Sequence, residues 1–150
     1  MKKFIGVLIT ACLLSCMTTR NSQSVTSGNE LKIELSKGAC FGTCPIYNLT
    51  LNTQRLVKYH GKRFVEVQGV YEWYISREDY KNINEILSRK EFSKSVEYNM
   101  RVQDLPETNL TIYSSTDTIH INHKGEIPQN LEISIKELES LLMTNSNWVQ

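Results

Sequence analysis

Apolar residues recur at every second position in six short stretches of the chain, and this alternation constrains the fold more than any other feature. A strand with this pattern buries one face in a core and leaves the other face for solvent. Short stretches that follow one another closely are typical of a sheet built from hairpins. The apolar positions are Leu31, Ile33 and Leu35; Tyr47, Leu49 and Leu51; Val57 and Tyr59; Val65, Val67, Tyr71, Trp73 and Ile75; Leu110 and Ile112; and Ile119 and Ile121.

Two further segments have helical spacing. Ser76 is followed by Glu78 and Asp79, a pattern typical of a helix N-terminus, and an apolar stripe then begins at Tyr80. Pro128 suits the first turn of a second helix. The apolar stripe of this second helix is Leu131, Ile135, Leu138 and Leu142.

The elements therefore follow in the order β-β-β-β-α-β-β-α. Short turns between strands indicate antiparallel pairing, and two amphipathic helices can cover one face of such a sheet. The sequence predicts an α+β fold, with an antiparallel sheet of about six strands and two helices on one face. The other face is expected to be polar or to contact a partner. Residues 60–62 are expected to form a turn, Gly69 to mark a bulge, and residues 93–108 to be an irregular loop.

The first sixteen residues resemble a bacterial lipoprotein signal. Two lysines precede an apolar run over residues 4–14, which is too short to span a bilayer as a helix. The run ends in Leu13-Leu14-Ser15-Cys16, so cleavage before Cys16 and lipidation of its thiol are predicted. A second box that ends at Cys12 is less suitable, because two leucines would directly follow the lipid. An ordinary secretory signal or a retained anchor is the alternative.

Cleavage would divide the chain into three parts. Residues 1–15 are the predicted signal peptide, residues 16–29 a flexible tether rich in polar residues, and residues 30–150 one domain. Loss of two lysines with the signal lowers Lys plus Arg from 17 to 15, against 16 Asp plus Glu. A chain this close to neutral argues against a nucleic-acid partner. Contact with the membrane is therefore predicted to be made by the N-terminal lipid, with acyl chains such as palmitate.

The most specific segment within the domain is Gly38-Ala39-Cys40-Phe41-Gly42-Thr43-Cys44-Pro45. An exported protein meets an oxidising compartment, so a disulfide between Cys40 and Cys44 is predicted, stabilising the turn by about 2 kcal/mol. The alternative is thiol or copper chemistry, because Cys-x-x-x-Cys-Pro also resembles the copper site of cytochrome-oxidase assembly chaperones. In those thioredoxin-like proteins the motif leads into a helix, whereas residues 46–51 alternate as a strand.

The sequence contains no recognisable catalytic motif, phosphate-binding loop, dinucleotide fingerprint or zinc ligand spacing. His60, His120 and His123 are expected to be turn or surface residues, since positions 120 and 123 of a strand point to opposite faces. Asp104 and Glu107 are expected to be solvated loop carboxylates. No enzyme activity, metal site or cofactor is therefore predicted.

The segment from Gly38 to Pro45 resembles the start of a domain found in uncharacterised bacterial lipoproteins that are common in Bacteroidota. The resemblance extends to Tyr47-Asn48-Leu49-Thr50-Leu51, to Gly69-Val70-Tyr71, to the helix that begins at Ser76, and to Asp104-Leu105-Pro106. Asn52-Thr53-Gln54 departs from the acidic-glycine turn of that family, so a longer first turn is expected here. The family carries a label of unknown function. The resemblance thus supports the prediction of a lipoprotein with a pair of bonded cysteines, and implies no substrate, cofactor or catalytic residue.

The expected function is that of a membrane-anchored cell-envelope lipoprotein with a small binding or structural domain. The open sheet face, or the loop over residues 93–108, would contact an envelope protein or glycan. The alternative is a periplasmic thiol-redox or copper carrier that uses Cys40 and Cys44. We expect the outer rather than the inner membrane. The absence of an acidic cluster after Cys16 favours a domain that faces the periplasm over one displayed at the cell surface.

Overall fold

The strands form one mixed sheet of seven, with two α-helices packed on one of its faces. The computed structural model describes residues 31–99 and 104–144, so the predicted signal peptide, the lipidation site Cys16 and the tether over 16–29 lie outside the described residues. The elements are β1 (Lys32–Lys37), β2 (Ile46–Leu51), β3 (Leu56–Arg63), β4 (Gly69–Tyr74), α1 (Arg77–Leu87), a 3₁₀ turn (Lys90–Phe92), β5 (Val96–Asn99), β6 (Glu107–Tyr113), β7 (Thr118–Lys124) and α2 (Gln129–Met143).

The order of strands across the sheet is β4-β3-β2-β1-β6-β7-β5. Neighbouring strands are antiparallel except for β5, which runs parallel to β7. The predicted α+β fold is confirmed, but the expected number of about six strands and the purely antiparallel pairing are wrong. The additional strand β5 lies within the segment predicted to be an irregular loop. It has only four residues, too few for alternation to stand out from its surroundings.

One face of the sheet carries the core. The buried strand residues share one phase of the alternation, and their cross-strand pairs, such as Leu35 with Leu49 and Leu35 with Leu110, line up on that face. Both helices pack there, because their buried residues belong to the same cluster. The helical residues in this core include Ile83, Ile86, Leu131, Ile135, Leu138 and Leu142, which confirms the predicted stripe of α2.

The boundary between β3 and β4 differs from the prediction. Residues 60–62 belong to β3, and the turn lies at residues 64–68. Gly61 is buried directly opposite Gly69, and a Cβ atom at Gly61 would lie 2.2 Å from the carbonyl oxygen of Val67. This glycine therefore permits a close approach of the backbone and does not form a turn. The expected bulge at Gly69 is also misplaced, since the register shift lies between β2 and β3, at Ile46 and Tyr47.

The helix ends follow from local chemistry. The Asp79 amide donates to Ser76 Oγ at 2.9 Å, so Ser76 is the N-cap that the sequence predicts. Pro128 stands at the N-cap of α2, one position before the first turn. The last turn of α2 is joined to the sheet, because Trp73 Nε1 donates to the carbonyl of Leu142 at 3.1 Å. This bond fixes α2 across the inner face.

Candidate functional site

The disulfide loop connects β1 to β2 at one end of the sheet. Cys40 and Cys44 form a disulfide with their Cα atoms 5.7 Å apart. The loop begins next to β6, since the Gly38 amide donates to the carbonyl of Glu107 at 2.7 Å. Its tip presents Phe41, whose side chain is 88% exposed. The segment leads into strand β2, as predicted, and the described residues contain no cluster of three or more His, Cys, Asp or Glu that could hold a metal ion.

The face of the sheet opposite the helices is mainly polar across β2, β1, β6 and β7, whereas β4 exposes the apolar side chains of Val70 and Tyr74 on it. Four residues lie directly opposite one another across β2, β1, β6 and β7, and we call them the asparagine row: Asn48, Ser36, Asn109 and Asn122. A second transverse row runs beside it, and we call it the threonine row: Thr50, Glu34, Thr111 and His120. Members of both rows line a shallow depression of about 430 Å³. No helix of the described part of the chain packs on this face.

The asparagine row is held in place at its β7 end by a carboxylate. Asn122 Nδ2 donates to Glu107 Oε1 at 2.7 Å and is also hydrogen-bonded to Asn109 Oδ1, while Asn109 Nδ2 reaches Glu107 at 3.3 Å. The bonds from Asn122 and then Asn109 lower the pKa of Glu107. The Oδ1 atom of Asn122 is buried and finds no hydrogen-bond partner within residues 31–99 and 104–144. A buried polar atom without a partner is uncommon in proteins.

The threonine row includes a carboxylate, Glu34. Glu34 accepts a hydrogen bond from Tyr113 at 3.1 Å and pairs with Lys32 at 2.6 Å. The bond from Lys32 lowers the pKa of Glu34. Thr111 Oγ1 and His120 Nδ1 lie 3.2 Å apart. The ionic groups of this row are thus paired, while the asparagine row has only neutral side chains.

A second site lies on the helix side, at the same end of the sheet as the disulfide loop. Lys37, Thr108 and His123 are directly opposite one another on β1, β6 and β7, and we call them the floor row. They form part of the lining of a cleft of about 620 Å³, which we call the terminal cleft. Its exposed rim includes Glu126, Gln129 and Glu132, and its half-buried apolar wall is formed by Leu105, Pro106 and Ile127.

His123 is the most unusual residue of the terminal cleft. Its Nδ1 atom is buried and has no hydrogen-bond partner in the described part of the protein. Burial lowers the pKa of His123, and the nearby Lys37 ammonium lowers it further, against weaker opposing effects from the Gly125 backbone and Glu132. The imidazole is therefore neutral at pH 7. A neutral ring can accept a hydrogen bond at one nitrogen and donate one from the other.

Lys37 is positioned by the helix above it. Its Nζ atom lies 3.4 Å from Glu139 Oε2 of α2, and the other oxygen of Glu139 accepts a hydrogen bond from the Tyr47 hydroxyl. Burial raises the pKa of Tyr47, with a further contribution from Glu139, so this hydroxyl stays protonated. The carboxylate of Glu139 is therefore shared between the Tyr47 hydroxyl and the Lys37 ammonium. The Lys37 ammonium therefore keeps hydrogen-bond donors available for the cleft.

The structure changes the interpretation of two predicted surface groups. His120 and His123 point to opposite faces, as predicted, but His123 is half-buried in the terminal cleft and is not a surface residue. Glu107 is the first residue of β6, bound by two asparagines, and not part of a loop, whereas Asp104 is exposed. The sequence does contain a signal for the core-side placement of His123, which is the phase of the alternation. Lys37, Thr108 and His123 each continue the apolar phase of their strand, which places them on the core side.

Comparison with models of protein families identifies the domain. A family model described as a domain of unknown function, DUF6438, matches residues 31–142 and so spans every strand and all but the last residue of α2. A search of curated proteins found no match. Among the described residues, neither α-helix is both long enough and apolar enough to cross a membrane.

Proposed function

We propose that this chain, which belongs to the DUF6438 family of domains of unknown function, is a lipid-anchored lipoprotein of the cell envelope that binds an envelope glycan through its open sheet face. The observation that carries the binding proposal is the asparagine row. Asparagine is disfavoured in strands, because its side chain competes for backbone hydrogen bonds and packs poorly on a pleated surface. Three asparagines aligned across neighbouring strands therefore indicate a role beyond folding.

The chemistry of the row favours a polyhydroxylated ligand. Asparagine side chains carry both donors and acceptors, and Ser36 adds a hydroxyl group, which matches the mixed donor and acceptor character of sugar hydroxyls. Part of this capacity is already used within the row, by Glu107 and by Lys62 Nζ, which donates to Asn48 Oδ1 at 3.3 Å. The spacing of four neighbouring strands gives a row about 14 Å long, enough for a short oligosaccharide. Protein interfaces are instead enriched in aromatic residues and arginine, which the asparagine row does not contain.

The anchoring proposal rests on the N-terminal sequence. The Leu13-Leu14-Ser15-Cys16 box supplies a thiol for lipidation, and the disulfide between Cys40 and Cys44 fits a protein exported to an oxidising compartment. In the Cys16→Ser variant the protein should lose its lipid mass and move from the membrane to the soluble fraction. Continued membrane retention of this variant would rule out the anchor.

The intact mass of the exported protein, with and without reduction and alkylation, tests the lipid anchor and the oxidation state of Cys40 and Cys44 together. A lipid adduct with Cys40 and Cys44 oxidised supports the anchored binding domain. Free thiols at both positions, or a retained copper ion, would instead support the thiol-redox or copper carrier.

The binding proposal is tested with soluble oligosaccharides prepared from the envelope of the cells that make the protein. The Asn48→Ala/Asn109→Ala double variant should bind them at least tenfold more weakly than the unaltered protein. Asn82→Ala, on α1 at the opposite layer, is the matched control and should bind normally. Equal binding by the double variant, or binding of an envelope protein to this face in place of oligosaccharide, would contradict the proposal.

A further inference from the structure

We propose that the terminal cleft is a second binding site, which takes an α-amino acid zwitterion, either free or as a short peptide with free ends. The carboxylate would lie on the floor row and the ammonium at the acidic rim. This site lies on the helix side of the sheet, away from the asparagine row, so the inference is independent of the glycan proposal.

The floor row is built to receive a carboxylate. The register places Lys37 next to Thr108 and Thr108 next to His123, so an ammonium, a hydroxyl and an imidazole stand side by side at the spacing of neighbouring strands. Thr108 is only 2% exposed, so the middle of the row is enclosed by its neighbours. A carboxylate can accept hydrogen bonds from a lysine ammonium and a threonine hydroxyl at the same time.

His123 supplies the second observation. A buried nitrogen without a partner loses its hydration and gains no hydrogen bond in return, which destabilises the protein. A ligand that bonded to His123 Nδ1 would remove this destabilisation. His123 lines the cleft together with Lys37 and Thr108, so the residue with the unpartnered atom belongs to the same site as the ammonium and the hydroxyl.

The charge balance disfavours a ligand that carries only negative charge. Lys37 already shares its charge with Glu139, and two further carboxylates, Glu126 and Glu132, stand at the rim. Glu132 also pairs with Lys136 at 2.6 Å, outside the cleft lining. A phosphate or a dicarboxylate would meet the two carboxylates of the cleft lining, Glu126 and Glu132, with one lining cation, Lys37. A zwitterion instead places its ammonium near Glu126 and Glu132 and its carboxylate near Lys37.

The remaining wall selects for an apolar side chain. Leu105, Pro106 and Ile127 are half-buried and line the same cleft. The volume of about 620 Å³ lies within the range of small-molecule sites, which combine an apolar wall with a few polar groups. A dipeptide with aliphatic side chains fits these properties better than a bare amino acid.

Calorimetric titration of the full chain with leucyl-leucine, acetyl-leucyl-leucine, leucyl-leucinamide and free leucine tests this assignment. Leucyl-leucine should bind at least tenfold more tightly than the acetylated or the amidated form. Tighter binding of leucyl-leucine than of leucine identifies the ligand as a peptide, and the reverse identifies a free amino acid. Equal affinity for the blocked forms, or no saturable binding of any of the four probes, would overturn the inference.

Variants separate this site from the rest of the protein. Thr108→Val keeps the shape of the side chain and Lys37→Met keeps most of its length, so each should weaken leucyl-leucine binding about tenfold in a folded protein. Lys62→Met, on the open face, is the matched control for Lys37→Met and should bind normally. The Asn48→Ala/Asn109→Ala variant should also bind the dipeptide normally. The variants of the terminal cleft and of the asparagine row therefore test the two proposals separately. Unchanged affinity in both Thr108→Val and Lys37→Met would overturn the inference.

Discussion

Replacement of Gly61 by alanine places a methyl group where the β3–β4 hairpin has no room for one. The new Cβ atom would lie 2.2 Å from the carbonyl oxygen of Val67, 2.7 Å from the hydroxyl of Tyr59 and 2.8 Å from Cε1 of the same ring. Tyr59 is buried and donates to the Val67 carbonyl at 3.2 Å, so the ring cannot move aside without losing that bond. The hairpin must therefore shift.

The magnitude follows from these contacts. Overpacking of a core costs about 1–3 kcal/mol, and loss of a hydrogen bond adds about 1 kcal/mol. The lower entropy of alanine in the unfolded chain offsets about 0.4–1 kcal/mol of this cost. The expected destabilisation of Gly61→Ala is about 2–3 kcal/mol, which for a domain of this size lowers the melting temperature by roughly 10 °C.

Thermal and urea unfolding of Gly61→Ala and Gly42→Ala measure this effect. Gly42 is the matched control, because a Cβ atom there would meet its nearest neighbour, Cys40 Sγ, at 3.8 Å. Gly42→Ala should leave the melting temperature unchanged or slightly raised. Equal stabilities of Gly61→Ala and the unaltered protein would refute the argument that Gly61 is required for space.

Two further predictions concern stability. Cys40→Ser should lower the free energy of unfolding by about 2 kcal/mol without abolishing export, and an unchanged melting temperature would contradict the stapling role of the disulfide. Because the folded-state pKa of His123 is depressed below 6.5, stability should fall as pH drops from above 6.5 through that lower pKa. His123→Gln should flatten this part of the pH profile. A decline in stability confined to pH values below 4.5 would assign the effect to carboxylates such as Glu107.

Much of the fold follows from the alternation because burial on one face is a local property of a strand. Leu35, Leu49 and Leu110 could be placed on the core side from spacing alone, and the stripe of α2 from its helical period. Strand β5 could not, since its four residues pair in parallel with a strand that comes later in the chain. Such pairing depends on tertiary contacts that a short pattern does not encode.

The candidate sites depend on the register between paired strands, which cannot be read from the alternation of each strand alone. Asn48 and Asn109 lie far apart in the chain and become neighbours of Ser36 only when β2 and β6 pair on either side of β1. The sequence alone predicts a turn at Gly61, because glycine signals both turns and close backbone contacts. His123 could have been placed beside the core from its phase with Ile121, but its lack of a partner is visible only in the folded structure.

The most direct test of the account is the NMR spectrum of the asparagine side-chain amides during titration with soluble envelope oligosaccharides. The account predicts saturable shifts of the Nδ2 resonances of Asn48, Asn109 and Asn122, with those of Asn82 on α1 unaffected. Unchanged resonances of the asparagine row at saturating oligosaccharide, or shifts confined to the helix side, would contradict the claim that the open face of the sheet is the binding surface.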